Sequence, residues 1–134
     1  MKNYSMNKFC HIMIVIENLD HISLGTADLE KSIEFYRELL DCEVVEKTDK
    51  FALLELDRII IKLNFIPDYK FPIKNPAAFT ISFNLDVDDF TNAVIELEER
   101  KIPIVHGPVP VEGGEALLIK DPDGHWIELK YRED

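Results

Sequence analysis

The polar side chains that could do chemistry alternate with apolar ones in four segments of the sequence. Successive side chains of a β-strand point to opposite faces of a sheet, so each segment predicts one polar and one apolar face. The polar positions carry an imidazole, a carboxylate, two ammonium groups, hydroxyls and amides: His21, Ser23, Lys62, Asn64, Thr80, Ser82, Asn84, Glu128 and Lys130. Trp126 alternates with Glu128 and could add a stacking wall. This polar face is the predicted binding surface for a small molecule.

The elements that must position these groups follow from the same pattern. The four segments are Leu19–Gly25, Ile59–Phe65, Phe79–Leu85 and Trp126–Tyr131, and their predicted buried positions are Ile22, Leu24, Ile59, Ile61, Leu63, Phe65, Ile81, Phe83, Leu85, Ile127 and Leu129. Apolar spacings of three and four predict a helix from Asp28, its N-cap, to Leu40, and a second helix that starts at Asp88 or Asp89. Helices that cover one face of a sheet define an α+β fold.

The chain repeats this order once. Each half reads strand, helix and three strands, where the further strands are predicted at 43–46, 51–56, 102–105 and 115–120. The stretch 67–76 holds three prolines and is predicted to be a linker, because proline removes a backbone donor and fixes φ. Gly113-Gly114 predicts a tight reversal, and Asp121-Pro122-Asp123-Gly124 predicts a turn before Glu128.

Composition narrows the class of protein. The chain has 134 residues and a net charge of -11, which argues against nucleic acid and anionic membranes as partners. No apolar run is long enough to span a bilayer. Cys10 and Cys42 lack metal-ligand spacing and are predicted to be reduced thiols of a cytoplasmic protein. Residues 1–18 are predicted to form an extension, either an extra strand or an arm.

Two motifs carry a resemblance to a known family. Leu19–Tyr36 (LDHISLGTADLEKSIEFY) and Asp121–Leu129 (DPDGHWIEL) resemble the vicinal oxygen chelate superfamily, which holds glyoxalase I, extradiol dioxygenases, fosfomycin-resistance enzymes and bleomycin-resistance proteins. The resemblance implies one domain, 19–134, with two βαβββ modules at 19–66 and 78–132. The modules would pair into a curved mixed sheet that forms a cup, with the helices on its outer face. It also implies a homodimer.

The resemblance also assigns metal-ligand positions, and this chain keeps only some of them. His21 and Glu128 match the first and last ligands, whereas Lys62 and Thr80 stand at the other two positions. A catalytic divalent metal usually has three protein ligands, so the expected state is metal-free. We hypothesise that the Lys62 ammonium pairs with Glu128 in the place of the metal. Alternatively, His21 is a core histidine that forms a hydrogen bond with Thr80 or Ser82. His125, which follows the predicted turn, is expected to be exposed.

Three functions follow from the resemblance. The first is binding of a small polar or anionic molecule in the cup, as in bleomycin-resistance proteins, with Lys62, Asn64, Thr80, Ser82, Asn84, Trp126 and Lys130 as ligand contacts. The second is a glyoxalase-type lyase or isomerase, with Glu128 as the base and His21 as a metal ligand or electrophile. The third is a fosfomycin-type thiol transferase. The two enzymes would need a divalent metal such as Zn, Ni, Fe or Mn, so the residues leave open whether the protein catalyses a reaction.

Overall fold

Two four-stranded sheets, each built from one half of the chain, form the framework of the protein. The structure is a computed structural model and describes residues 13–133. Its elements are β1 Ile22–Thr26, α1 Leu29–Glu34, β2 Glu43–Lys47, β3 Phe51–Leu56, β4 Ile59–Phe65, β5 Ile81–Asn84, α2 Val87–Glu99, β6 His106–Val111, β7 Gly114–Lys120 and β8 Trp126–Arg132. A π-helical stretch, Phe35–Leu39, continues α1. The predicted α+β fold with two βαβββ modules is confirmed.

The two sheets share one topology. The strand order is β1-β4-β3-β2 in the first sheet and β5-β8-β7-β6 in the second. In each sheet the first and last strands of the module pair in parallel, with Ile22 opposite Ile61 and Ile81 opposite Ile127. Parallel strands need a crossover connection, which the helix and the two intervening strands supply. This pairing brings the first and last strands of each module together, and both carry predicted site residues.

The predicted apolar faces form most of one core. Leu24, Ile61 and Leu129 are at most 4% exposed, and the helices cover them through residues such as Leu29 of α1 and Phe90 of α2. Ile59 and Phe65, predicted to be buried, are instead 37% and 43% exposed. Both lie at the ends of β4, where the strand is more exposed than at its centre. The alternation of polar and apolar residues predicts which face of a strand is buried. It does not predict how far along the strand that burial extends.

Some element boundaries differ from the predicted ones. Asp28 caps α1 as predicted, since its Oδ1 accepts the N–H of Lys31 at 3.1 Å. α2 begins earlier than predicted, because Asp86 is its N-cap and accepts the N–H of Asp89 at 2.8 Å. The predicted strand at 102–105 is wrong: the N–H of Ile102 donates to the Leu97 carbonyl and closes the end of α2. The strand comes later, as β6.

Both predicted turns are present. The β6–β7 hairpin closes with Val111 opposite Gly114, and Gly113 takes a φ of +80° that favours glycine. In the turn between β7 and β8, Asp121 Oδ1 accepts the N–H groups of Asp123 and His125 at 3.0 and 2.8 Å. The turn thus uses one carboxylate oxygen for its own backbone and leaves the other for side chains.

That second oxygen is the centre of a buried contact between the two modules. Tyr36 at the end of the first helix donates its hydroxyl to Asp121 Oδ2 at 2.7 Å. His125 Nδ1 lies 2.7 Å from the same oxygen, and His125 Nε2 lies 3.2 Å from the Tyr69 hydroxyl. We call Tyr36, Tyr69, Asp121 and His125 the inter-module clasp. It joins the first helix, the linker and the β7–β8 turn.

The linker explains why His125 is buried. The prediction that His125 is exposed is wrong, since its exposed fraction is 1%. The rings of Tyr69 and Phe71 flank the imidazole, with centroids 5.7 and 4.6 Å away. Gly25 makes room for this packing, because a Cβ there would lie 2.7 Å from the Tyr69 ring. A turn that the sequence places at the surface is therefore covered by a distant segment.

The N-terminal part of the chain is only partly described. Residues 13–21 contain no helix or strand, and Ile14, Val15 and Ile16 are each at least 76% exposed. The rest of the predicted extension, with Cys10, lies outside the described residues, so its role stays a prediction. Within residues 13–133, no helix combines the length and the apolar character needed to cross a bilayer.

Removing the Tyr36 hydroxyl tests the inter-module clasp. Tyr36→Phe leaves a buried carboxylate without one donor, so we expect the free energy of unfolding to fall by about 1–3 kcal/mol. Urea denaturation measures this change. Tyr131→Phe is the matched control, because the Tyr131 hydroxyl donates to Glu115 at 3.2 Å from a half-buried position. Equal losses in the two variants would show that the Tyr36 bond stabilises the fold no more than the half-buried Tyr131–Glu115 bond does.

Cys42 provides a test of the core at alkaline pH. Cys42 is a free thiol that is 2% exposed, and burial, together with the Asp41 carboxylate, raises its pKa from 9.0 to about 11. A raised folded-state pKa means that the neutral thiol stabilises the fold below pH 9 and that this contribution is lost as pH rises through about 11. In a Cys10→Ser background at about pH 8, we expect iodoacetamide to alkylate Cys42 roughly 100-fold more slowly than in the unfolded chain. Equal rates would contradict this burial.

Candidate functional site

Glu128 lies in a cleft of about 320 Å³ on the second sheet. The walls are mostly apolar, with a few polar groups, and comprise Pro76, Ala77, Thr80, Ser82, His106, Val109, Val111, Ala116, Leu117, Leu118 and Glu128. We call this site the Glu128 cleft. A concave, largely apolar site with a small number of polar groups is typical of small-molecule binding.

The parallel pairing of β5 and β8 builds the polar centre of the cleft. Ser82 lies directly opposite Glu128 in the register, and its hydroxyl donates to Glu128 Oε1 at 2.5 Å. On the other side of β8, Leu118 of β7 lies opposite Glu128. The carboxylate is thus held between a hydroxyl and an apolar neighbour. Both Ser82 and Glu128 were predicted as site residues, and the structure brings them into contact.

Thr80 lines the same cleft but has no free hydroxyl proton to offer a ligand. Its hydroxyl donates to the backbone carbonyl of Pro76. This bond ties the end of the linker to the start of β5. Thr80 therefore lies in the wall of the cleft, as predicted, but its hydroxyl proton is donated to the Pro76 carbonyl and not to a ligand.

The predicted ion pair between Lys62 and Glu128 does not form in the described chain. Lys62 belongs to β4 of the first sheet, and its Nζ lies 4.9 Å from the centre of the Phe51 ring. No ion pair of Glu128 with any cation is present among residues 13–133. The two residues occur on matching polar faces of different sheets, which alternation alone does not distinguish. Asn64, also on β4, is half-buried in the first sheet.

His21 precedes β1 and remains near the surface. Its side chain is 38% exposed, and Nδ1 lies 2.7 Å from a carboxylate oxygen of Asp20. The alternative of a core histidine bonded to Thr80 or Ser82 is wrong, because the imidazole is exposed and lies beside Asp20. Among residues 13–133, neither His21 nor Glu128 belongs to a group of three side chains that could hold a metal ion.

The remaining predicted contacts lie around the ends of the second sheet. Trp126 is 7% exposed, and its indole N–H donates to the Ile73 carbonyl of the linker at 3.1 Å, so the linker covers the ring. Asn84 is exposed and lines a separate cleft beside Arg132. Lys130 is half-buried on the polar face of β8 but does not line the Glu128 cleft.

Several residues that line the cleft were not predicted from the sequence. His106, at the start of β6, lies in the cleft lining but was not predicted as a site residue. Val109 and Leu118 were not predicted as site residues. The alternation along β7 could have indicated Leu118, since it shares a face with Ala116. Only the observed pairing of β7 with β8 shows that this face borders Glu128.

Asp121, Asp123 and His125 could hold a metal ion. Each offers one ligand atom, and these atoms lie within 4.8 Å of one another. Asp121 already accepts bonds from the turn backbone and from Tyr36, so a cation would have to displace part of the inter-module clasp. Asp123 Oδ1 accepts the N–H of Ala27 at 2.9 Å, while its Oδ2 is buried without a partner. The group contains neither His21 nor Glu128.

Comparison with known proteins identifies similar chains. The family model "Glyoxalase/Bleomycin resistance protein/Dioxygenase superfamily" matches residues 18–129. A metallothiol transferase FosB of Staphylococcus epidermidis is 31% identical over 121 residues, which cover 86% of this chain and 84% of that protein. Virulence protein STM3117 of Salmonella typhimurium is 29% identical over an alignment of 139 positions, gaps included. The alignment covers 95% of this chain and 94% of that protein.

A solved structure supports the same relation. The crystal structure of a glyoxalase/dioxygenase from Nostoc punctiforme superposes with a TM-score of 0.76 at 27% sequence identity. The superposition covers 92% of this chain and 99% of the other. The similarity therefore extends over both modules.

Proposed function

We propose that this chain, which belongs to the glyoxalase/bleomycin resistance protein/dioxygenase superfamily, binds a small polar molecule in the Glu128 cleft. It would do so without a complete metal site. The observation that carries the proposal is the single carboxylate of Glu128, held by Ser82 inside a mostly apolar cleft. The apolar walls supply contact area, and the carboxylate supplies orientation.

The donor set of the cleft does not fit a catalytic metal. Such a metal usually takes three protein ligands and keeps one open position. Glu128 is the only carboxylate that the described residues contribute to the lining, and Thr80 contributes a neutral hydroxyl whose proton goes to Pro76. His106 also lines the cleft, but the one group of three metal-binding side chains in the described part of the chain lies elsewhere. We therefore derive no chemical step through a metal at Glu128.

The second candidate is a metallothiol transferase. The observation in its favour is the FosB relative, which matches over 84% of its length at 31% identity. The name of that relative implies both a metal and a thiol. The lyase with Glu128 as base stays a prediction, because the described residues place no second proton-transfer group in hydrogen-bond contact with Glu128.

Ligand binding with and without metal tests the proposal. We screen small organic compounds by protein NMR with a chelator present, then repeat the titration of each hit with Mn²⁺ or Zn²⁺. Hits should shift the amide signals of the cleft with the same affinity in both conditions. Val109→Phe should weaken them by about tenfold or more, because the larger ring fills the cleft.

Val45→Phe is the matched control, since Val45 is 50% exposed on β2 of the other sheet and should leave binding unchanged. Metal titration by calorimetry completes the experiment with wild type and Glu128→Gln. Stoichiometric metal binding that Glu128→Gln abolishes, with hits that need the metal, would contradict the proposal and favour the transferase.

We further propose that the protein is a homodimer in the cytoplasm. The support is structural: β1 and β5 lie at open edges of the two sheets, and Ile14 and Ile16 expose apolar surface beside β1. Unpaired edges and apolar patches are commonly covered by a second chain. The cytoplasmic location stays a prediction from the composition.

Sedimentation equilibrium tests the dimer. We expect the mass of two 15.5 kDa chains, and we expect Ile16→Asp to weaken dimerisation by tenfold or more, about 1.4 kcal/mol, since it adds a charge to the apolar segment. Ile95→Asp, on the half-exposed face of α2, should not change the mass. A monomeric wild type would contradict the proposal.

A further inference from the structure

We propose that the ligand of the Glu128 cleft is an organic cation, with an ammonium group on an apolar body. This inference rests on the proposed function, because it specifies the class of molecule that the same cleft binds. It departs from the anionic alternative of the predicted polar or anionic ligand, which depended on lysines inside the cup. The evidence is the charge of the lining, the state of the Glu128 carboxylate and the character of the walls.

Among residues 13–133, the lining contains an acidic group and no lysine or arginine. Glu128 is the only aspartate or glutamate among the cleft residues. The two lysines predicted to contact the ligand do not line the cleft: Lys62 lies over the Phe51 ring in the other sheet, and Lys130 lies farther along β8. A phosphonate or carboxylate ligand would therefore approach Glu128 with no lysine or arginine in the lining to balance its charge.

The carboxylate of Glu128 has a hydrogen bond but no counterion. Ser82 donates to Oε1, and no lysine, arginine or histidine of the described residues lies within ion-pair distance. A carboxylate in an apolar cleft gains most from a partner that is both charged and able to donate hydrogen bonds. An ammonium group meets both requirements and can bind the remaining oxygen, Oε2.

The walls around the carboxylate require an apolar body on the same molecule. Val109, Ala116 and Leu118 face the cleft beside Glu128. A bare inorganic cation would leave these side chains without a contact, whereas an alkyl or aryl group would cover them. The net charge of -11 acts in the same direction, since an acidic protein attracts cations and repels anions before contact.

Three probes of similar size but different charge test the inference: 2-phenylethylammonium, 2-phenylethanol and 3-phenylpropionate. Each is titrated into the full chain at low ionic strength, and the amide signals of Ser82, Leu118 and Glu128 report binding in the cleft. We expect the ammonium compound to bind at least about tenfold more tightly than the other two, the factor that one charge-assisted hydrogen bond can supply.

Two variants assign this preference to Glu128. Glu128→Gln keeps the shape and an oxygen for Ser82 but removes the charge, so the preference for the ammonium compound should disappear. Glu55→Gln makes the same change of net charge at an exposed position of β3 in the other sheet, and should keep the preference. The amide spectrum of each variant shows whether it is folded.

The outcomes separate the two proposals. If the alcohol or the propionate binds in the cleft as tightly as the ammonium compound, or if Glu128→Gln keeps the preference, the cation inference is wrong and the binding function stands. If none of the probes shifts the cleft amides, the cleft does not accept an apolar body and both proposals fail.

Discussion

The buried carboxylate of Asp121 is the contact on which the rest of the structure depends. One oxygen accepts two backbone N–H groups of its own turn, and the other meets the Tyr36 hydroxyl and the His125 imidazole. A carboxylate on a side chain that is 0% exposed is tolerated only when such donors surround it. Since Tyr36 belongs to the first module and His125 to the second, this requirement joins them.

The same contact determines where the candidate site lies. β8 begins at Trp126, directly after the turn that Asp121 shapes, so Glu128 is only a few residues from the inter-module clasp. The linker packs on that turn through Tyr69 and Phe71, and its last part, near Pro76, reaches the wall of the Glu128 cleft. The turn that carries the inter-module clasp and the strand that carries Glu128 are therefore continuous in the chain.

The electrostatics of the cleft change the interpretation of the polar faces. The sequence left a polar or an anionic ligand open, with Lys62 and Lys130 among the predicted contacts. The structure assigns Lys62 to a different sheet and leaves Glu128 with a hydroxyl as its bonded partner. A carboxylate beside Val109 and Leu118 then favours a cationic molecule. Family membership alone supports several activities on one fold, so the argument about function has to come from such local contacts.

The sequence by itself determined the local features of this protein. Alternation predicted the strands and their faces, Asp28 predicted the start of α1, and the Asp-Pro-Asp-Gly turn was readable from its residues, because each depends on neighbours in the chain. Only the tertiary structure decided that His125 is buried, that the linker covers Trp126 and that Lys62 lies over the Phe51 ring and does not pair with Glu128. These outcomes depend on which distant segments meet, and alternation with a period of two carries no information about that.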